Sequence, residues 1–231
     1  MICWRIVVTE IRAAARDALF ALMNDEEQAR ARRFVQIRDR YSFTAAHGVL
    51  RLLLGAMLRA PPRSLAFAAN ANGKPRLEPP RGVTFNMSHS GGIVLIGLSR
   101  GFEIGVDVEA LRPVHERDGI VARYFHPDEA ADFARIHPDK AQGAFFRCWS
   151  RKEAVVKALG VGMSLDLHRY RVTCAPDDAP QVLALEGDAD PRPQWSLLDL
   201  DLGAEHVGAV AARRRPLHLV QGRFDPASIA G

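Results

Sequence analysis

The stretch Val83-Thr84-Phe85-Asn86-Met87-Ser88-His89-Ser90-Gly91-Gly92-Ile93-Val94-Leu95-Ile96-Gly97-Leu98-Ser99-Arg100-Gly101-Phe102-Glu103-Ile104-Gly105-Val106-Asp107-Val108-Glu109 holds three apolar, β-branched runs cut by two glycine-bearing turns. Runs of this length with such turns between them predict short strands, Val83 to Met87, Ile93 to Ser99 and Ile104 to Val108, folded back on one another as an antiparallel sheet. Upstream, Leu65 to Ala69 reads as another strand, with turns at Asn72-Gly73 and Pro79-Pro80. Ile2 to Thr9 opens the chain as a strand because β-branched residues dominate it.

From Tyr41 to Leu58 the residues Phe43, Val49, Leu50, Leu53, Leu54 and Met57 recur at helical spacing, and Pro61-Pro62 closes the run. Asn24 followed by Asp25, Glu26 and Glu27 predicts the cap and acidic first turn of a shorter helix reaching Phe34, with Arg30 and Arg33 on its polar face. A main helix packed on an antiparallel sheet is therefore the expected unit.

The second half repeats the theme, with a helix from Lys140 to Leu159 and strands at Tyr170 to Thr173, Gln181 to Leu185, Trp195 to Leu200 and His206 to Ala212. A faint echo, Val94-Leu95-Ile96-Gly97-Leu98-Ser99-Arg100 against His206-Val207-Gly208-Ala209-Val210-Ala211-Ala212-Arg213, agrees with duplication. The fold class expected is α+β, two pseudo-symmetric halves at residues 1–103 and 104–231.

Composition narrows the function. A chain of 231 residues, 48% of them apolar, can bury one sizeable core or two small ones. No run approaches the 18 or so uncharged apolar residues needed to cross a bilayer, and Arg5 interrupts an opening unlike a signal peptide. Cys3, Cys148 and Cys174 are far apart, odd in number and not spaced as a zinc pair, so neither a disulfide framework nor a metal knuckle is expected and a cytoplasmic protein is. A net charge of +4 suits an anionic partner, while the 7% aromatic content, not interleaved with the basic residues, argues against a dedicated nucleic-acid binder.

Four short runs carry chemistry. Asp107 and Glu109 stand two apart on a predicted strand and so share a face, where they can grip one hard divalent cation. Taken alone, such an alternating pair more often turns its acids to solvent. Trp149, Glu153 and Lys157, within Trp149-Ser150-Arg151-Lys152-Glu153-Ala154-Val155-Val156-Lys157, are spaced to line one helix face, setting a carboxylate and a cation one turn apart. By itself that pattern equally describes a surface ion pair above a buried tryptophan. Ser88 and His89 sit where a strand enters a glycine turn, able to meet phosphate oxygens, and Asn72-Gly73-Lys74-Pro75 holds a lysine at a turn tip.

In this order and at these separations, Gly73-Lys74-Pro75, Phe85 to Gly91, Ile104 to Glu109 and Trp149 to Ala154 resemble the surfactin-synthetase-activating type of 4′-phosphopantetheinyl transferase. The resemblance continues through Lys157 and Gly160-Val161-Gly162-Met163-Ser164-Leu165, and back to the arginines at 30 to 33. It implies a monomer of two similar halves with coenzyme A in the cleft between them. It also implies Mg2+ held by Asp107, Glu109 and Glu153, with Lys157 neutralising the bridging phosphate oxygen and Glu153 or a metal-held water as base. Ser88, His89, Lys74 and Arg30 would contact the donor's phosphates. The acceptor implied is an apo acyl, peptidyl or polyketide carrier protein, with no nucleic acid or membrane as partner. One departure is that Ser42 and Phe43 stand where many relatives carry a basic or small polar residue. Two rival readings share the residues: a magnesium-dependent hydrolase of phosphate esters, and a basic nucleic-acid-binding module whose acids are structural.

Overall fold

The structure, a computed structural model, describes residues 1–162, 165–175 and 177–229, so Met163-Ser164 of the family-like run lies outside the described residues. Strand β1 (Ile2–Val7) leads into helices α1 (Ala13–Leu22), α2 (Asp25–Arg32) and α3 (Ile37–Leu58). Strands β2 (Ala66–Ala69), β3 (Pro75–Glu78), β4 (Val83–Ser90), β5 (Ile93–Arg100) and β6 (Ile104–Ala110) follow. Then come α4 (Arg117–Tyr124), α5 (Pro127–Phe133), α6 (Pro138–Leu159) and strands β7 (Tyr170–Val172), β8 (Val182–Leu185), β9 (Ser196–Asp199), β10 (His206–Ala212) and β11 (Val220–Arg223).

Two sheets dominate, ordered β11-β1-β5-β4 and β6-β10-β9, with β2-β3 and β7-β8 as small hairpins. All pairs are antiparallel except β1 with β11, which is parallel and returns the C-terminal strand to the first sheet. The sequence echo has a structural counterpart: β5 is one of two interior strands of the first sheet and β10 the central strand of the second.

Each sheet carries one long helix. Leu19 of α1, Val49, Leu50 and Leu54 of α3 and Phe85, Val94 and Ile96 of the first sheet form one core. Phe145, Phe146 and Val155 of α6 with Tyr170, Leu197 and Ala209 form another. A third cluster, including Cys3, Leu95, Val106, Val108 and Val210, lies between the two sheets and glues the halves. Each such fully buried large aliphatic contributes roughly 1.5–3 kcal/mol.

The α2 cap is as expected: Asn24 Oδ1 accepts the Glu27 N–H at 2.9 Å and Glu27 Oε2 accepts the Asn24 N–H at 3.1 Å, a capping box. Helix α1, strand β3, the pair α4 and α5, and β11 were not anticipated; α1 is amphipathic, burying Ala15 and Leu19, and its periodicity was passed over, while the others are short or weakly periodic and gain their order from packing. Among the described residues α3 has the length and mean hydropathy of a bilayer-crossing helix, but Arg51 interrupts its apolar run and its apolar face is spent on the first core.

One expectation is corrected. Cys148 of α6 and Cys174 are paired as a disulfide, with Cα atoms 4.9 Å apart across 26 residues of sequence; that separation is within the range a disulfide spans. Linear spacing could not foretell it, because α6 and the segment after β7 meet only in the folded second half. Cys3 is free, and burial pushes its thiol up to about 12.

Candidate active site

Strands β4 and β6 are the facing edges of the two larger sheets, yet no backbone ladder pairs them among the described residues. Side chains of β4 do that work. Asn86 Oδ1 accepts the Val106 N–H at 2.8 Å, Ser88 Oγ the Val108 N–H at 3.4 Å, and Ser90 Oγ the Ala110 N–H at 3.1 Å. The period-2 alternation of a strand puts these three residues on one face, in parallel register with β6. The buried N–H groups of β6, which would otherwise cost free energy, are satisfied across the seam.

The same alternation sets Asp107 and Glu109 toward the seam. Asp107 is only 3% exposed, which rules out the reading in which it faces solvent. Its Oδ1 accepts from Ser88 Oγ at 2.9 Å and from Lys157 Nζ at 2.6 Å. Its Oδ2 is buried and, among the described residues, has no hydrogen-bond partner. Glu109 Oε2 accepts from Ser90 Oγ at 3.1 Å and, more loosely, from Arg112 at 3.4 Å. Burial, then the charge of Asp107, holds the Glu109 carboxyl above its ordinary value, outweighing Ser90 and Arg112.

Helix α6 brings the other charges. His137 caps it, with Pro138 in its first turn, and Gly160, left-handed at φ +69°, ends it. Its backbone rests directly on β6 at Gly105: a Cβ there would lie 1.9 Å from the Ala154 carbonyl oxygen and 2.5 Å from the Ala158 nitrogen. Only glycine permits this approach, and it carries Glu153 and Lys157 to the seam. Lys157 Nζ also donates to Ser88 Oγ at 3.1 Å. Burial raises the Glu153 carboxyl; Lys157 pulls it down, while Asp107 and Glu109 push it further up, so the three acids share one field.

A cavity of about 570 Å³ opens beside this cluster, walled by Lys74 and Asn86 from the first half and by Tyr124, Trp149, Glu153 and Lys157 from the second. Trp149 is half-buried rather than core, stacked on Phe145 at 6.0 Å between centroids and edge-on to Tyr124 at 6.3 Å. The β2–β3 turn is pinned against the end of α6, since Asn70 and Asn72 each donate to the Gly160 carbonyl at 3.0 Å. Lys74 donates to Glu103 at 2.5 Å and to the Ile104 carbonyl at 3.1 Å, and it borders a second cavity of about 390 Å³.

Asp107, Glu109, Glu153, Lys157 and Ser88 are thus brought together, with Lys74 on the adjoining wall. His89 and Arg30 are not among the residues walling either cavity. His89 is exposed on the β4 face that carries Phe85 and Met87, opposite Ser88. Arg30 is exposed with its guanidinium over the Phe43 ring at 5.2 Å, and Phe43 stacks on His47.

Sequence reasoning passed over Ser90, whose signal was its two-residue spacing from Ser88. It also passed over Arg151 and Lys152, which hold α6 from behind. Arg151 is fully buried and forks onto Asp199 at 2.9 and 2.7 Å. Lys152, equally buried, pairs with Glu129 at 2.7 Å and donates to the Tyr170 carbonyl at 2.8 Å.

The donor set suits a hard cation: three carboxylates, one with a buried unpartnered oxygen. They are spread wider than Glu129, Cys148 and Cys174, the one described trio whose donor atoms lie within 4.8 Å of one another. That trio is already committed, its sulfurs to each other and Glu129 to Lys152 and backbone N–H groups. As they stand, the three carboxylates could meet one Mg2+ only partly through water, which that ion retains in its shell.

Residues 103–211 match the family model described as the 4′-phosphopantetheinyl transferase superfamily, and residues 11–99 match 4′-phosphopantetheinyl transferase, N-terminal. Over 211 residues the chain is 33% identical to the 4′-phosphopantetheinyl transferase HetI of Nostoc sp. (strain PCC 7120), covering 90% of this chain and 85% of that one. It is 30% identical over 161 residues to the 4′-phosphopantetheinyl transferase ffp of Bacillus subtilis, covering 70% of each. A 4′-phosphopantetheinyl transferase of the same species is 28% identical over 167 residues, covering 72% of this chain and 73% of that one.

Proposed function

Because this chain belongs to the 4′-phosphopantetheinyl transferase superfamily, we propose that it uses Mg2+ to move the 4′-phosphopantetheine arm of coenzyme A onto a serine of an apo acyl, peptidyl or polyketide carrier protein, leaving adenosine 3′,5′-bisphosphate. The observation that carries this reading is the meeting of Asp107, Glu109 and Glu153 with Lys157 beside a cavity walled by both halves.

In this reading Asp107, Glu109 and Glu153 hold the metal, whose charge, when it is bound, neutralises the donor's pyrophosphate. Lys157 meets the phosphate oxygen on which negative charge grows as the bond to the nucleotide breaks. The serine oxygen forms the new bond to the arm's phosphorus, and Glu153 is the chain's own carboxylate at the wall able to take the hydroxyl proton. Lys74, on the same wall, is assigned to the donor's phosphates. Ser88 is engaged by Asp107 and Lys157 and acts through them rather than on the donor alone. Contacts from His89 and Arg30 would need a donor that extends past the cavity over the first half. Both halves of the wall come from one chain, which supports a monomer as the active unit with residues 1–103 and 104–231 as its two parts, save that β11 and Phe224 return to the first sheet and its core.

The test is the mass of a purified apo carrier protein after incubation with this enzyme, coenzyme A and Mg2+, with EDTA in a parallel sample. Gain of one phosphopantetheine, abolished by EDTA and by Asp107→Ala in a folded protein, is expected. No gain on several carrier types, with coenzyme A cleaved in their absence, would move the site to hydrolysis.

A further inference from the structure

Ser90 has a donor and an acceptor role at once, and both are occupied by the metal-binding strand. Its oxygen accepts the Ala110 N–H at 3.1 Å, which fixes where its lone pairs point. A hydroxyl has one proton to give, and that proton is directed at Glu109 Oε2, 3.1 Å away. Ser88 repeats the arrangement one step earlier, accepting from Val108 and donating to Asp107. At Asn86 the third rung carries no carboxylate, since the residue at the corresponding position of β6 is Gly105.

The turn that follows holds Ser90 in place. Gly91 and Gly92 are left-handed, at φ +55° and +82°, and a Cβ on Gly91 would lie 2.5 Å from the Ala110 Cβ and 2.8 Å from His206 Nε2. The turn is therefore seated on the ends of β6 and β10, and the seryl oxygen is pressed against the Ala110 backbone. The other partner of Glu109, Arg112, is 61% exposed at its side chain and 3.4 Å away, a loose and solvent-screened contact. Among the described residues no hydrogen bond engages Glu109 Oε1.

We propose that Ser90 is a positioning residue for the metal site: it clamps one oxygen of Glu109, so the first half of the chain orients a ligand carried by the second. This rests on the proposed role of Glu109 as a metal ligand. Outer partners of this kind typically change metal affinity by 10–100-fold when removed.

The test uses the full chain with Mn2+ as probe, its dissociation constant read by paramagnetic resonance without coenzyme A, alongside the Mg2+ dependence of transfer and the melting temperature. Ser90→Ala is expected to weaken Mn2+ binding, and to raise the Mg2+ concentration for half-maximal rate, by about tenfold or more. Ser90→Thr, which keeps the hydroxyl, should restore both to near wild type. Should Ser90→Ala not fold, Ser90→Cys keeps the volume with a much weaker donor and serves in its place. Wild-type Mn2+ affinity in folded Ser90→Ala or Ser90→Cys, whatever the melting temperature does, overturns the positioning role and leaves Glu109 as a ligand untouched. Wild-type protein that neither binds Mn2+ nor needs Mg2+ overturns the metal site and this role with it.

Discussion

Lys157 Nζ stands 2.6 Å from Asp107 Oδ1, so the ammonium proposed for catalysis and the carboxylate proposed for the metal are already joined across the β6–α6 contact. The ammonium neutralises an acid that is almost wholly buried, and a metal arriving at Asp107 must share that carboxylate with it. Lys157→Met, which keeps the stem and removes the charge, is expected to lower the transfer rate by about 100-fold or more. Without coenzyme A the same variant should bind Mn2+ more tightly than wild type, because the competing charge is gone. An equal or weaker Mn2+ affinity would show that Lys157 does not compete for Asp107.

Gly105→Ala tests the approach of helix to strand. A methyl group cannot occupy the space 1.9 Å from the Ala154 carbonyl oxygen, so α6 must lift from β6. Overpacking of this sort costs typically 1–3 kcal/mol and sometimes more. Because Glu153 and Lys157 ride on α6, transfer should fall further than the loss of melting temperature accounts for. Unaltered stability and activity would mean that the two backbones do not touch in solution.

Glu27 predicts a pH dependence of stability. Burial raises its carboxyl, but hydrogen bonds from His47 at 3.0 Å and Arg51 at 2.6 Å, with their charges, outweigh burial and leave it below the ordinary value. A carboxyl depressed in the folded state stabilises above its unfolded pKa of roughly 4.3, and that stability is lost as pH falls through the folded value. Glu27→Gln leaves fully buried Arg51 without its counter-ion and should cost about 3–5 kcal/mol near neutrality. Denaturant melts of the two proteins from pH 7 down to 3 should draw closer as the carboxyl takes up its proton first in the unfolded chain and then in the folded one; a constant gap would refute the assignment.

Trp149→Ala distinguishes a cavity wall from a core. Complete burial would make the loss about 3–5 kcal/mol, but the ring is half-buried beside Tyr124 and Phe145. A smaller loss of stability is expected, together with a raised KM for coenzyme A if the ring borders the donor. A full core-sized loss with KM unchanged would place the ring in the core after all.

Much of this protein was legible before folding. Strand alternation put Asp107 and Glu109 on one side, helical spacing put Trp149, Glu153 and Lys157 on another, and the Asn24 cap and the turns at Gly73 and Gly91-Gly92 marked where elements stop. These are local periodicities, dictated by the backbone geometry of each element and readable from neighbours in the chain. Tertiary structure alone decided that Asn86, Ser88 and Ser90 replace a backbone ladder between the halves, that Gly105 lets α6 lie on β6, that Cys148 meets Cys174, and that Arg151 and Lys152 are buried anchors rather than surface charges. Each of those facts joins residues distant in sequence, whose meeting depends on how two sheets and a helix pack rather than on the pattern within any one of them.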